Sequence, residues 1–527
     1  MMLPRSSGVL LHITSLPGRE GCGTLGREAF RFAELLHKAG CVWWQILPLG
    51  PVSPAMGYSP YSATSAFAGN FLLISIEQLT EEPWFASVNR VSSINLSVTS
   101  KYKADATCRF DEMYAEKLAA LQTAAEVFFA AAEDKAAEEF TAYNAFCSEN
   151  AYWLEDYALF SACAEYFGTN DYMQWDADIA VRQPEAVRLW RDKLWERISF
   201  HKFVQYVFFK QLAELKAHCA YLGVRIIGDV PIYISEAGAD IWAKSDVFLP
   251  KSEGRAGVPP DYFSTEGQLW GNPLYRWFDG AGSLNEAAIE WWIARMRHNL
   301  RYADTLRLDH FRGFVAYWAV APNAKTAVEG EWRQGPGALF FSRIRAELGE
   351  LPLIAEDLGV ITKDVEDLRK SAGLMGMKVL QFAFDGNAGN PYLPHNIEDA
   401  NCVIYTGTHD NDTLNGWFYG QDATEDWRKY VAEYAGAEDF RNIHSALIRL
   451  VWASTARLVV APVQDILGMG SECRMNTPGT TDGNWLWRCK DEYLTDEFIE
   501  QIMRWNRLYN RMTAGHYTFS PVSKISK

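Results

Sequence analysis

The chain of 527 residues carries 66 acidic and 50 basic side chains, which gives a formal net charge of -16 at pH 7. A surface of this charge repels nucleic acid and anionic membranes, so we expect neither as a partner. The length allows a large buried core, and the composition fits a soluble enzyme with a neutral substrate.

Strand-like apolar runs alternate with helical patterns along the chain, which is typical of a parallel α/β sheet or barrel. Eight strands are predicted at residues 9–13, 43–48, 224–231, 306–309, 353–356, 378–384, 403–410 and 457–462. Helices are predicted at 27–39, 286–302, 337–348, 362–373, 427–434 and 440–455, with one more after residue 495. Eight strands with helices between them predict an α/β fold, a single (β/α)8 TIM barrel spanning residues 1–527.

Two segments are additional to the strands and helices of a minimal barrel. Residues 77–222, after the second strand, are predicted to form a mainly helical insertion, with helices at 111–140, 155–167 and 184–221. Residues 240–277 form a second, lid-like insertion, in which 254–277 has no predicted secondary structure and carries Trp270. Because long loops in compact domains usually have a function, we interpret this one as a lid or binding loop.

Acidic residues occupy the same relative position on four predicted strands. Asp229, Asp309, Glu356 and Asp410 end the third, fourth, fifth and seventh strands, and the carboxyl ends of barrel strands meet where active sites are built. Arg307 points to the same side as Asp309, and a guanidinium keeps a neighbouring carboxylate ionised. Alternatively, each acid caps a helix or solvates a loop, and Arg307 with Asp309 is an internal ion pair.

Two acids suffice for glycosyl transfer, because one attacks the anomeric carbon and the other protonates the departing oxygen. In this arrangement Asp309 is the nucleophile, Glu356 is the acid, and Asp410 with His409 holds sugar hydroxyls. Alternatively, His409, Asp410 and Asp412 form a magnesium or calcium site, because oxygen ligands suit hard cations. Most ligands of such a site would come from one loop, so we expect no metal and no cofactor.

The cysteines and the N-terminal segment predict the compartment. Nine cysteines are scattered without a C-x-x-C pair, which predicts reduced thiols rather than a zinc site or a redox pair. No basic segment followed by an apolar run marks a signal peptide, and no apolar stretch is long enough to span a bilayer. We therefore expect a cytoplasmic protein, whose oligomeric state the sequence leaves open.

Several motifs resemble conserved regions of one enzyme family. RLDHFRG at 307–313, AEDLG at 355–359 and THDN at 408–411 resemble 4-α-glucanotransferases of the amylomaltase (disproportionating enzyme) type, a branch of the α-amylase clan. The resemblance extends over nearly the whole chain, through SGVLLH at 7–12, SPYS at 59–62, GVPPDYFS at 257–264, GQLWGNPLY at 267–275, RMNTPG at 474–479 and GNWLWR at 483–488.

The resemblance implies a retaining enzyme that cleaves an α-1,4-glucan, the donor, and keeps the glucan on Asp309. The enzyme then passes the glucan to the 4-hydroxyl of an acceptor, which is another glucan or glucose. The resemblance further implies that Glu356 is general acid and then base, and that Asp410 stabilises the transition state. Arg307 and His409 would bind near the cleaved bond.

The resemblance also implies which loops contact substrate. The loop with Trp270 would cover the sugar sites, and Tyr58 lies in a loop that the family uses to bind glucan. Asn272 and Pro273 beside Trp270, together with the strand-end Asp229, complete the predicted substrate-binding residues. The family lacks a separate C-terminal β-domain, and nothing after residue 488 here is predicted to form one.

Two other functions are consistent with parts of this pattern. An α-1,4-glucan hydrolase would use the same three acids, whereas a transferase must bind an acceptor and exclude water from the covalent intermediate. A non-catalytic glucan-binding protein would use the aromatic residues but would need none of the four acids in register.

Overall fold

Eight parallel strands form a closed ring, which confirms the predicted (β/α)8 barrel. The computed structural model describes residues 3–86, 106–131, 137–260, 264–359 and 361–512. The barrel strands are Ser6–Leu10, Trp43–Gln45, Arg225–Val230, Thr305–Leu308, Leu353–Ala355, Gly376–Val379, Cys402–Tyr405 and Leu458–Pro462. They are hydrogen-bonded in chain order, the eighth pairs with the first, and an Ile354–Met375 bridge joins the fifth and sixth.

The helices cover the outside of this barrel. Within the described residues, eight α-helices lie between the second and third strands: Ile76–Thr80, Pro83–Ala86, Phe110–Ala131, Ala137–Glu149, Ala151–Phe167, Ala177–Ala180, Pro184–Lys193 and Trp195–Leu222. The other described α-helices are Arg27–Lys38, Ala239–Ala243, Glu286–Asn299, Gly337–Leu348, Lys363–Ser371, Leu414–Tyr419, Glu425–Ala435, Ile443–Ala453, Val463–Ile466 and Asp496–Leu508. None of the helices in the described ranges is long and apolar enough to cross a membrane.

Short 3-10 helices make many of the connections. They are Ile13–Ser15, Pro54–Met56, Pro60–Ser62, Phe71–Leu73, Tyr172–Gln174, Lys251–Glu253, Phe311–Phe314, Leu380–Ala383, Pro394–Asn396, Ser471–Cys473 and Asp491–Tyr493. Parts of the predicted elements lie outside the described residues: 132–136 of the helix at 111–140, Asp261, Tyr262 and Phe263 of the long loop, and residues 513–527 of the tail.

Strand parity explains why the acids face the barrel centre. Alternate strand residues form one buried apolar cluster inside the barrel, which includes Ile227 and Ile354. Because successive strand side chains point to opposite faces, the residues two positions later point the same way. Those residues are Asp229 and Glu356, so the apolar layer inside the barrel directly supports the acidic layer above it.

The loop predicted at residues 254–277 is partly a β-sheet, so the prediction of no secondary structure there was wrong. Arg255–Val258 and Gln268–Leu269 pair antiparallel with each other, and Ala316–Val320 and Gly330–Gln334 complete a four-stranded sheet. A Cβ on Gly257 would lie 2.5 Å from the carbonyl oxygen of Gln268. Glycine therefore permits this close pairing. The partner on the other side, Ala316–Val320, comes from a distant segment that local patterns cannot show.

Other predicted elements also differ in extent; the first strand, predicted at 9–13, is Ser6–Leu10, and the second, predicted at 43–48, is Trp43–Gln45. The helix predicted at 184–221 is two helices, separated at Leu194, where φ is -109° and ψ is 19°; the apolar pattern continues through the break and does not reveal it. The sixth strand ends at Val379 and a 3-10 helix follows, in which the Gln381 side chain donates to the Asp412 carbonyl oxygen. The seventh strand ends at Tyr405, so Asp410 lies on the following loop.

Candidate active site

Arg307 links two of the strand-end acids. Its Nη1 lies 2.9 Å from both carboxylate oxygens of Asp229 and 2.9 Å from Oδ1 of Asp309. The Asp229 side chain is fully buried, whereas 27% of the Asp309 side-chain surface is exposed. Burial disfavours the guanidinium charge, but the two carboxylates outweigh it and raise the pKa of Arg307 well above its usual range. Asp309 is therefore both positioned by a permanent cation and open to a ligand.

Glu356 is held beside Asp309 by backbone donors. The amide of His310 donates to Oε2 at 2.9 Å, and the amide of Leu358 donates to Oε1 at 3.1 Å. His310 adopts a left-handed backbone conformation with φ 47°, a costly state for a non-glycine residue that is typical of functional sites. Burial, opposed by Arg307 and reinforced by the Asp309 charge, raises the pKa of Glu356 to about 8. Glu356 is therefore a carboxylic acid at neutral pH.

The register of neighbouring strands brings the two acids to matching positions. Leu308 of the fourth strand pairs with Ala355 of the fifth. Asp309 and Glu356 directly follow these two paired residues. Adjacent strands lie about 4.8 Å apart, and the carboxyl groups of retaining glycosidases are about 5–5.5 Å apart. This placement suits a nucleophile and an acid that act on opposite sides of one glycosidic bond.

Asp410 is the third acid and is bound differently. Asn476 Nδ2 donates to its Oδ1 at 2.6 Å, and His409 Nε2 lies 3.3 Å from its Oδ2. Desolvation by the surrounding protein opposes ionisation, but the charge and hydrogen bond of His409 and the Asn476 bond outweigh this and lower the pKa of Asp410. With 43% of its side-chain surface exposed, Asp410 is an ionised acceptor that faces the cleft.

The arrangement around Asp410 does not resemble a metal site. Asp412 accepts a hydrogen bond from Ser471 Oγ at 2.6 Å. Asp410 accepts a hydrogen bond from Asn476 and lies beside His409. In the part of the chain that the structure describes, no three His, Cys, Asp or Glu side chains are grouped so that they could hold a metal ion.

Tyr61 joins the separate parts of the site and was not among the predicted site residues. Its hydroxyl donates to Asp229 Oδ2 at 2.8 Å, and its ring stacks on His409 with 4.9 Å between centroids. Asn476 and His310 were also missed as site residues. All three lie within motifs that carried the family resemblance, so each motif signalled a functional segment without indicating which side chain reaches the acids.

The other predicted binding residues lie at different distances from the acids. Trp270 is 36% exposed and meets the His310 ring edge-on at 4.9 Å between centroids. Asn272 donates through Nδ2 to the Ile234 carbonyl oxygen at 2.7 Å, and Pro273 next to it is buried. Both therefore hold the base of the Trp270 segment.

Tyr58 contacts the helical insertion. Its hydroxyl donates to Asp111 Oδ1 at 2.5 Å, and its ring stacks on Phe110 with 4.8 Å between centroids. Only 8% of Tyr58 is exposed. Because the same loop continues to Tyr61, these contacts hold a segment that reaches the acids.

The sequence profile of the 4-alpha-glucanotransferase family matches residues 11–495. The chain belongs to this family. It is 44% identical to the 4-alpha-glucanotransferase of Synechocystis sp. over 97% of this chain and 99% of that protein, and 44% identical to that of Thermus thermophilus over 94% and 97%. Among solved structures, the amylomaltase of Streptococcus agalactiae in complex with acarbose superposes with a TM-score of 0.88, at 36% identity over 97% of this chain and 100% of that one.

As a 4-alpha-glucanotransferase, the chain is a glucan-disproportionating enzyme that retains the anomeric configuration. The family therefore favours transfer over the hydrolase and the non-catalytic binding protein that the sequence pattern left open. The barrel geometry fits this chemistry, since Asp309 and a protonated Glu356 follow neighbouring strands.

Removing the cation from the centre of this candidate site is expected to destabilise the fold. Arg307→Leu leaves the fully buried Asp229 carboxylate without its charged partner, which costs about 3–5 kcal/mol of unfolding free energy. Urea denaturation measures the effect. Arg343→Leu, which removes an exposed partner of Glu286, is the control and should change stability little. An Arg307→Leu protein as stable as the wild type would contradict the pairing of Arg307 with the buried Asp229.

Proposed function

We propose that Asp309 is the nucleophile, Glu356 the general acid and base, and Asp410 the transition-state stabiliser of this 4-alpha-glucanotransferase. The proposal depends on one observation above all, the raised pKa of Glu356 next to the Arg307-bound Asp309. A protonated acid beside an ionised nucleophile is the pair of states that the first step of a retaining reaction requires.

In the first step, an Asp309 carboxylate oxygen attacks C1 of a glucosyl unit in an α-1,4-glucan. The bond between C1 and the glycosidic oxygen breaks, and Glu356 gives its proton to that oxygen. The shortened glucan leaves with a new 4-hydroxyl, and the remaining glucan is esterified to Asp309. Glu356 is then a carboxylate, and its proton has left with the product.

In the second step, the 4-hydroxyl of an acceptor glucan or glucose takes the place of the departed chain. Glu356 removes the hydroxyl proton while the oxygen attacks C1 and breaks the ester to Asp309. Two inversions at C1 restore the α configuration, and both acids return to their starting states. The donor and the acceptor therefore use the same proton-transfer group.

The remaining polar groups would hold the reacting sugar. Asp410 is an ionised acceptor with an exposed face, so it suits neighbouring hydroxyls whose bonds strengthen as positive charge develops on the ring. His409 is fixed between Asp410 and the Tyr61 ring. Arg307 holds Asp309 and Asp229 in place, so we assign substrate binding near the cleaved bond to this group of side chains.

We assign a cover to the segment with Trp270. The small β-sheet anchors it, since the amides of Trp270 and Gly271 both donate to the Ala256 carbonyl oxygen at 3.2 Å. Asn272 and Pro273 hold the base of this segment. Tyr58 fixes its own loop, which continues to Tyr61, against the helical insertion. A cover of this kind would favour a bound acceptor over water, because water exclusion protects the covalent intermediate.

Trp270→Ala is expected to shift the products towards hydrolysis. Removing the indole opens the side of the cleft next to His310, so the ratio of hydrolysis to transfer should rise about five- to tenfold, equivalent to about 1 kcal/mol in relative barriers. Chromatography of products from maltotriose measures this ratio. Trp332→Ala removes an exposed indole from the same sheet and should leave the ratio unchanged; an unchanged ratio in Trp270→Ala would remove the cover assignment.

Incubation with maltotriose tests the proposed reaction as a whole. We expect glucose together with a series of longer maltooligosaccharides, because each transfer lengthens one chain and shortens another. New reducing ends without longer products would mean hydrolysis, and unchanged maltotriose would mean that the protein only binds glucan.

We also propose a cytoplasmic location. All nine cysteines are free thiols and most are buried, and burial raises the pKa of the Cys41 thiol to about 11. Such thiols fit a reducing compartment. Immunodetection in separated cell fractions tests the location.

A further inference from the structure

A cavity lies on the flank of the barrel, and none of the three acids lines it. Its volume is about 300 Å³, and its walls come from the helices Ala151–Phe167, Ala239–Ala243 and Glu286–Asn299 together with Ser65 and Phe67. Cavities of about 300 Å³ and more accept small ligands. None of the proposed catalytic or binding residues lines it, and it shares only Ser65 and Phe67 with the cavity that Tyr61 and Asp229 line.

Aromatic side chains form much of the cavity lining. They are Phe67, Tyr152, Trp153, Tyr157 and Trp291. Phe67 meets Tyr152 and Trp291 edge-on, at 5.7 and 5.8 Å between centroids, which fixes both rings. Tyr152 is 43% exposed although its hydroxyl lies 3.4 Å from His298 Nδ1. An aromatic ring that is held in place and still exposed is a ready surface for the apolar C–H face of a sugar ring.

Charged groups of both signs complete the cavity. Asp156, Asp246 and Glu290 supply acceptor oxygens, and Lys244 supplies a donor. Asp240 is buried, and its carboxylate accepts from the Ala66 amide at 2.9 Å and from the Trp291 indole at 3.3 Å. Asp240 therefore holds the wall and Asp156 is paired with Arg182 at 2.6 Å, while Asp246, Glu290 and Lys244 remain for a ligand.

This combination favours a neutral polyhydroxyl ligand over an ion. Adjacent hydroxyls of a sugar both donate and accept hydrogen bonds, so they match a rim with carboxylates and an ammonium group. A site for an organic cation would gain nothing from Lys244, and a site for an anion would be opposed by the carboxylates. The glucan chains on which this family acts supply such a ligand.

We propose that this flank cavity binds a glucosyl unit of a maltooligosaccharide, separately from the chain held at the acids. The proposal relies on the glucan substrate assigned under the proposed function. Its wall at Ser65 and Phe67 belongs to the segment that continues from Tyr61, so the bound unit would lie on the outer side of a loop whose inner side meets the active site.

Titration calorimetry with maltotriose tests the proposal in the Glu356→Gln protein, in which turnover should be slow. We expect two binding events. Ala287 lines the cavity near the start of its helix, so Glu356→Gln/Ala287→Phe should fill the space and lose one of the two events. Glu356→Gln/Ala287→Ser, the matched control at the same position, should keep both.

A second variant and a crystal separate loss of the site from loss of the fold. Tyr152→Ala in the Glu356→Gln background should weaken the second event by at least about fivefold while the thermal midpoint stays unchanged. A crystal with maltotriose should show a sugar ring against Tyr152. One binding event in Glu356→Gln, or two unchanged events in the Ala287→Phe protein, would overturn the proposal. Consumption of maltotriose during the titration would instead contradict the role of Glu356. The comparison of Ala287→Phe with Ala287→Ser would still test the flank cavity.

Discussion

Asp309→Asn is expected to lower kcat by at least about 10⁴-fold, because an amide cannot form the ester that carries the glucan between the two steps. The substitution is nearly isosteric, and the Asn oxygen can still accept the hydrogen bond from Arg307 that Oδ1 accepts at 2.9 Å in the wild type. Folding and sugar binding should therefore be retained. Initial rates with maltotriose, a thermal midpoint and a binding titration measure these three properties.

A matched control separates the loss of the nucleophile from the loss of a charge near the cleft. Asp364 is an exposed acid in the first turn of the helix that follows the fifth barrel strand. Asp364→Asn removes the same charge without touching Arg307 and should keep wild-type activity. Activity of Asp309→Asn within tenfold of the wild type would remove the nucleophile assignment.

Glu356→Gln is expected to lower the rate on maltooligosaccharides by roughly 10²–10⁴-fold, the usual contribution of a general acid. Glu356 acts in the first step only while it is protonated, and its pKa is raised to about 8 by burial and the Asp309 charge. Wild-type activity should therefore fall as the pH rises through about 8. This basic limb should be absent from the residual rate of the variant, because glutamine does not titrate.

A donor with a fluoride leaving group shows which step needs the acid. Fluoride departs without a proton, so α-maltosyl fluoride should react with Asp309 in the Glu356→Gln protein. The acceptor hydroxyl then lacks its base, and the glycosyl-enzyme should accumulate. Intact-mass measurement should show an added maltosyl group, absent from Asp309→Asn/Glu356→Gln. Equal consumption of maltotriose by Glu356→Gln and the wild type would refute the role of Glu356.

Local patterns predicted the barrel because each strand and helix is indicated by the pattern of a few consecutive residues. The apolar runs at 224–231 and 457–462 correspond to strands Arg225–Val230 and Leu458–Pro462, and the predicted helix at 337–348 matches Gly337–Leu348 in both bounds. The predicted bounds of an element were wrong where a contact with a distant segment makes the chain turn. The strand predicted at 378–384 stops at Val379 because the next turn is held by a bond from Gln381 to the loop with Asp412.

The small sheet beside the active site shows the limit of such patterns. Arg255–Val258 has a short, glycine-containing sequence with little strand character of its own. It becomes a strand because Ala316–Val320, about sixty residues later, satisfies its backbone groups from one side and Gln268–Leu269 from the other. Pairing between distant segments is a property of the folded chain and leaves no periodic signal in either segment.

By itself, the sequence determined the barrel, the order of the acids along it, and the family, because strand periodicity and short motifs are local. Only the tertiary structure decided the protonation of Glu356, the three-way bonding of Arg307, and the contact of Tyr61 with Asp229, which is 168 residues away. These properties depend on burial and on the distances between charges from different strands. Such quantities exist only after the barrel closes, which is also when the flank cavity forms between helices far apart in the chain.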